Sequence, residues 1–169
     1  MMSINQDHSD IAFSEVLERK EMLQKKFFRE CIKKTNQFSA QFVLEKMLRE
    51  HIHQLNELQK EIRLLSCERI SKEVYHSFHS DIYFEKLCEE YDLSTLTLNE
   101  ASRIAIRIEE RDLDFFRGIL NNQLQGNSKK ALKKIIFHKT HFIKRLKLEQ
   151  ARLVTKGKEN PAGERQVSS

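Results

Sequence analysis

The chain has 169 residues, which is enough for one domain with a core of its own and short for two. With 4 glycines, 1 proline, 39% hydrophobic and 33% charged residues, it is typical of long helices joined by short connections. It has no apolar run of about 18 residues, so no membrane-spanning helix is expected. Its three scattered cysteines argue against a disulfide framework, a zinc ribbon and a rubredoxin-type centre.

Four segments repeat apolar residues at the spacing of an amphipathic helix. They begin near residues 13, 39, 97 and 127, and they end near residues 34, 65, 126 and 153. A turn at 35–37 separates the first two. The third begins at Thr97, whose Glu100 three residues later makes a capping-box pattern, and Gly126 ends it. Asn127 or Ser128 is expected to cap the fourth helix.

The connection between the second and third helices is much longer than the two turns. It covers residues 66–96 and is expected to contain a short helix near 81–91. Short connections make antiparallel hairpins, and a long one can return the chain along a whole bundle. The sequence therefore predicts an all-α, ferritin-like four-helix bundle over residues 13–153. A flexible N-terminus at 1–12 and a disordered tail at 154–169 are expected to flank it.

The two predicted hairpins repeat one another at an offset of 88 residues. The aligned groups are Glu21 with Glu109, Glu50 with His138, His53 with His141, and Phe27-Phe28 with Phe115-Phe116. In each half the acidic residue and the second ligand-type residue, 29 positions apart, lie at equal distances from the predicted turn. The hairpins should therefore bring these groups to one buried layer. Converging buried carboxylates need a compensating cation, so the layer predicts a site for two divalent metal ions.

This arrangement resembles the rubrerythrin branch of the ferritin-like superfamily. That family places a Glu on helices one and three and a Glu-x-x-His on helices two and four. The resemblance implies a further carboxylate ligand at Asp112, one turn after Glu109, while His138 stands where the family has its second bridging Glu. The predicted metal ligands are Glu21, Glu50, His53, Glu109, Asp112, His138 and His141. No catalytic residue beyond these ligands is predicted, and the other histidines, His51, His76 and His79, are expected at the surface.

The resemblance implies iron as the cofactor, with two ions per chain, and zinc or manganese as alternatives. Because imidazole does not bridge two metals as a carboxylate does, an asymmetric site, a weak position or a single metal also stay open at His138. The implied activity is redox chemistry of iron with peroxide or dioxygen, of the peroxidase or ferroxidase type. The alternatives are a non-enzymatic metal-binding protein and a degenerate bundle that serves as an interaction module.

Partners and location follow from composition and from the resemblance. No rubredoxin domain follows the helices in this sequence, so electrons are expected from an external donor protein. A homodimer is one expected assembly, the cytoplasm is the expected location, and no membrane association is expected. The net charge is +5, but the basic residues at 129–147 alternate with apolar ones at helical spacing, so no nucleic-acid partner is expected.

Overall fold

Helices account for almost all of the regular structure, as the composition predicts. The computed structural model describes residues 10–78, 81–120 and 124–159. The helices in these ranges are α1 (Phe13–Lys34), α2 (Phe38–Glu57), α3 (Gln59–Leu65), α4 (Lys72–Phe78), α5 (Asp81–Glu90), α6 (Leu98–Leu120) and α7 (Gly126–Glu159). A turn of 3-10 helix covers Leu93–Thr95, and two short strands, β1 (Ile11–Ala12) and β2 (Arg69–Ile70), pair antiparallel. The prediction of an all-α fold is confirmed.

Local hydrogen bonding explains where the helices begin and break. The predicted capping box is present, since the Glu100 amide donates to Thr97 Oγ1 at 3.2 Å and the Thr97 amide donates to Glu100 Oε2 at 2.8 Å. The second predicted helix is divided at Leu58 into α2 and α3. Backbone hydrogen bonds continue through this break, from the Leu58 amide to the Gln54 carbonyl at 3.0 Å and from the Ile62 amide to the Leu58 carbonyl at 2.9 Å.

Both flanks of the helical region differ from the expected segments. Within the N-terminal segment, Ile11–Ala12 pairs with Arg69–Ile70, and Phe13 directly after it is fully buried. At the other end α7 continues past residue 153 to Glu159. The sequence allows this extension because its only proline, Pro161, lies beyond it. Residues 1–9 and 160–169 of the predicted flexible ends lie outside the described residues.

The four long helices pack mainly through the pairs α1–α2, α2–α6 and α6–α7, and α3 packs on α7. Their buried apolar side chains form two clusters. One cluster contains Phe28 and Leu44, and the other contains Phe116 and Leu132. The connection after α3 covers the first cluster, with the ring of Phe84 4.9 Å from that of Phe27. In the described part of the chain, no helix is long and apolar enough to cross a membrane.

Candidate functional site

Six buried polar residues lie between the two apolar clusters, and we call them the central layer. They are Glu21 and Gln24 on α1, His51 on α2, Glu109 and Asp112 on α6, and Lys139 on α7. Each takes a place on the apolar stripe of its own helix. On α7, for example, Lys139 follows Ile135 by four residues and precedes Phe142 by three, and all three side chains are buried. Helix packing therefore brings the six polar groups to one level.

His51 connects the two acidic residues of the repeat. Its Nε2 lies 2.8 Å from Glu21 Oε2, and its Nδ1 lies 3.0 Å from Glu109 Oε1. The amide nitrogen of Gln24 is 3.3 Å from the same Nδ1. A carboxylate at each ring nitrogen favours the imidazolium, which donates from both nitrogens. His51 is thus a positively charged bridge between α1 and α6.

Lys139 is the second cation of the layer, with only 3% of its side chain exposed. Its Nζ lies 3.0 Å from Glu109 Oε2 and 2.7 Å from Asp112 Oδ2, and it is 5.9 Å from the centre of the Phe116 ring. The third cation, Lys20, contacts Asp112 Oδ1 and lies 3.4 Å from Glu21 Oε1 at the edge of the layer. With His51 protonated, three carboxylates face three cations.

These contacts determine the protonation states. Burial opposes the charge on His51, but the hydrogen bonds to Glu109 and Glu21 outweigh it and raise the pKa of His51 to about 9. Burial likewise opposes the charge on Glu21, while Lys20 and His51 lower its pKa to about 2. Against the same cost of burial, Lys139 holds the pKa of Glu109 and of Asp112 below their usual values, and these two carboxylates raise the pKa of Lys139. The three carboxylates, His51 and Lys139 are therefore all charged at neutral pH.

The seven predicted ligands fall into two groups. Glu21, Glu109 and Asp112 meet in the central layer, in the arrangement that the repeat predicts for the two Glu residues. The other four, Glu50, His53, His138 and His141, line one surface cleft between α2 and α7. His53 has 72% of its side chain exposed and lies 3.3 Å from Glu57, while Glu50 pairs with Arg145 at 2.8 Å. The expected convergence of all seven in one buried layer is wrong.

The error is one residue of helical phase, repeated in both hairpins. The side chains that meet the two Glu residues are 30 positions along the chain, His51 for Glu21 and Lys139 for Glu109, not 29. His51 and Lys139 are themselves related by the offset of 88 residues. A shift of one residue turns a helical side chain by about 100°, which moves Glu50 and His138 out of the layer.

The prediction that His51 is a surface residue is wrong, because its side chain is fully buried. His76 is exposed, as expected, and His79 lies outside the described residues. The sequence did contain a signal for the correct face. Leu44, Met47, His51 and Leu58 follow one stripe at steps of three, four and seven residues, and all four are buried. The Glu-x-x-His spacing instead favoured Glu50 and His53. Lys139 was not predicted because lysine is not a usual metal ligand.

The central layer does not fit the two-metal site that the resemblance implies. His51, Glu109 and Asp112 offer ligand atoms within 4.8 Å of one another, which is a donor set for a single cation. Lys139 Nζ already contacts both of these carboxylates, and a metal would have to displace it. The bridging and histidine ligands required for a second ion lie in the surface cleft.

No protein-family model, curated protein or solved structure matches the chain. The resemblance to rubrerythrins therefore stays a prediction from the residues that carry it.

Proposed function

We propose that this protein is a ferritin-like four-helix bundle whose centre works without a metal, and that it is a structural module that associates with another protein chain. The proposed bundle consists of the hairpins α1–α2 and α6–α7, joined by the connection that carries α4 and α5. The observation that carries the proposal is Lys139, whose ammonium group lies 3.0 and 2.7 Å from two buried carboxylates.

Charge balance supports the metal-free state. Three carboxylates converge in the layer, and His51, Lys20 and Lys139 supply three compensating positive charges. A buried acidic cluster needs a cation, and here the chain provides it. A divalent ion would add two charges to a neutral layer, displace Lys139 and compete with the proton on His51.

An apolar groove between α2, α6 and α7 supports association. It is lined by Phe42, Val43, Leu98, Ile106 and Leu153, and the Phe42 side chain is 53% exposed. At its rim, Lys46 Nζ lies 3.2 Å from Glu149 Oε2, so both signs of charge border one apolar surface. A two-fold interface needs a self-complementary surface of this kind, and we therefore propose a second copy of the chain as the occupant.

A second candidate function is the binding of one divalent metal, including iron for redox chemistry, at the centre. The specific observation in its favour is the donor set of His51, Glu109 and Asp112. On this hypothesis Lys139 would move aside and His51 would release its proton when the metal binds.

Anaerobic titration with ferrous iron, followed by metal quantification, separates the two candidates. We compare the parent with His51→Gln, whose amide can still hydrogen-bond the neighbouring carboxylates but is a poor iron ligand. A metal-free centre predicts equal iron per chain in both proteins. It also predicts that iron changes the thermal midpoint of the parent and of His51→Gln by the same amount. Loss of one iron per chain in His51→Gln would overturn the metal-free proposal and favour the second candidate.

A further inference from the structure

A ladder of ion pairs joins α2 and α3 to α7. Its three rungs are Lys46 with Glu149 at 3.2 Å, Glu50 with Arg145 at 2.8 Å, and Glu61 with Lys134. From one pair to the next, the residue on α2 or α3 advances by four and then by eleven positions. Its partner on α7 recedes by the same four and eleven positions. The three pairs therefore define a single antiparallel register.

The middle of the ladder contains histidines where ion pairs would continue it. The same register places His138 opposite Glu57 and His141 opposite Gln54, with His53 beside Gln54. These residues border the surface cleft described above, which has a volume of about 360 Å³. Gln54 Oε1 is buried there and has no hydrogen-bond partner among the described residues. The cleft therefore contains polar side chains that take no part in the three ion pairs.

We propose that this cleft binds a zinc ion through His53 and Glu57 of α2 and His138 and His141 of α7. Each helix contributes two donors one turn apart, and such pairs project from the same side of a helix. Three imidazoles and one carboxylate form a donor set that zinc accepts in tetrahedral geometry. The site is separate from the central layer and does not depend on the proposed function.

The contacts of these donors are with exposed neighbours, since the His141 and His138 rings lie 4.3 Å and 5.9 Å from the ring of the exposed Phe137. His53 and Glu57 have 72% and 57% of their side chains exposed, and their contact at 3.3 Å is a surface pair of little energetic weight. Arg145, the nearest cation of the ladder, is engaged by Glu50, so its charge is compensated. The four donors line the cleft. As they stand, no three of their ligand atoms lie within 4.8 Å of one another, so changes of rotamer in these exposed side chains would bring them together on the metal.

Competition with a chromophoric zinc chelator tests the site in tag-free, full-length protein. We expect one zinc ion per chain at pH 7.5 and a loss of affinity of about tenfold or more in both His53→Gln and His141→Gln. His76→Gln, an exposed histidine on α4, and Cys67→Ser, an exposed cysteine, are matched controls and should bind as the parent does. Zinc should also raise the thermal midpoint of the parent and controls but not of the two cleft variants.

Circular dichroism checks that the cleft variants keep the helical fold, as expected for substitutions at exposed positions. Absence of zinc binding by the parent would overturn the proposal. Equal affinity in His53→Gln, His141→Gln and the parent would overturn it as well.

Discussion

Lys139 provides one of the three positive charges at the centre of the molecule. Its ammonium group is held by Glu109 and Asp112 and faces the ring of Phe116. A neutral Lys139 is disfavoured because Glu109 and Asp112 would then be buried with less positive charge beside them. This residue therefore decides between a bundle that is complete by itself and one that needs an added cation.

Replacement of Lys139 by methionine tests that role. Lys139→Met keeps the apolar stem and removes the charge, and leaving buried charges unpaired typically costs about 3–5 kcal/mol of unfolding free energy. Urea denaturation measures the loss, and Lys133→Met, an exposed position on the same helix, should change stability by less than about 0.5 kcal/mol. Manganese should stabilise Lys139→Met more than it stabilises the parent. A loss no larger than that of Lys133→Met would contradict a structural role for the ammonium group.

The protonation of His51 predicts how stability varies with pH. Its pKa is about 9 in the folded protein against 6.5 for an ordinary histidine, so its contribution is complete below pH 6.5 and is lost as pH rises through 9. Glu21 acts in the opposite direction, because its pKa of about 2 makes its contribution complete above pH 4.5 and lost as pH falls through 2. The most stable range with respect to these two groups is therefore pH 4.5 to 6.5.

We expect the unfolding free energy to decrease by up to about 3 kcal/mol between pH 6.5 and 9. Chemical denaturation at three pH values across this interval measures the slope. His51→Gln should flatten it, and His76→Gln, with its exposed side chain, should leave it as in the parent. An equal slope in the parent and His51→Gln would show that another group titrates.

At the scale of the elements, α6 depends on its capping box. Thr97 Oγ1 accepts a hydrogen bond from the Glu100 amide, and Glu100 Oε2 accepts from both the amide and the hydroxyl of Thr97. The helix matters for the centre because it carries Glu109 and Asp112. Fraying of the first turn of α6 would leave both carboxylates less firmly positioned.

Thr97→Ala removes one side of this box and should lower the unfolding free energy by about 1 kcal/mol. Thermal or urea denaturation measures the change. Thr140→Ala is the control, since the exposed Thr140 hydroxyl only donates to the Ile136 carbonyl within α7 and alanine is a better helix former. Equal effects of the two substitutions would argue against a capping contribution.

At the scale of the whole molecule, the apolar groove predicts a homodimer. Phe42→Ser should shift the mass in light scattering from twice the chain mass toward 20.1 kDa, because it removes the exposed aromatic ring at the groove. Phe137→Ser, at a ring 60% exposed on α7 outside the groove, should leave the dimer intact. A monomeric parent at all tested concentrations would contradict the dimer, and dissociation by Phe137→Ser would place the interface elsewhere.

The sequence by itself determined the helical class, the bounds of α1, the start of α6 and the equivalence of the two hairpins. These features depend on local signals, namely composition, apolar periodicity, a capping box and an internal repeat, which are complete within short stretches of chain. It also identified Glu21 and Glu109 as groups that belong together, since the repeat carries them, while Asp112 was added by the family resemblance.

Only the tertiary structure decided which neighbours meet those carboxylates. The phase of α2 and α7 is set by packing of Leu44, Met47, Ile135 and Phe142 against other helices, and it brings in His51 and Lys139. A rotation of these helices by one residue position decides whether metal ligands or ion pairs fill the layer. The spacing is the same in both hairpins, so it does not distinguish these two arrangements. The buried carboxylates then keep His51 and Lys139 charged, because a charge is stable inside the protein only beside its partners.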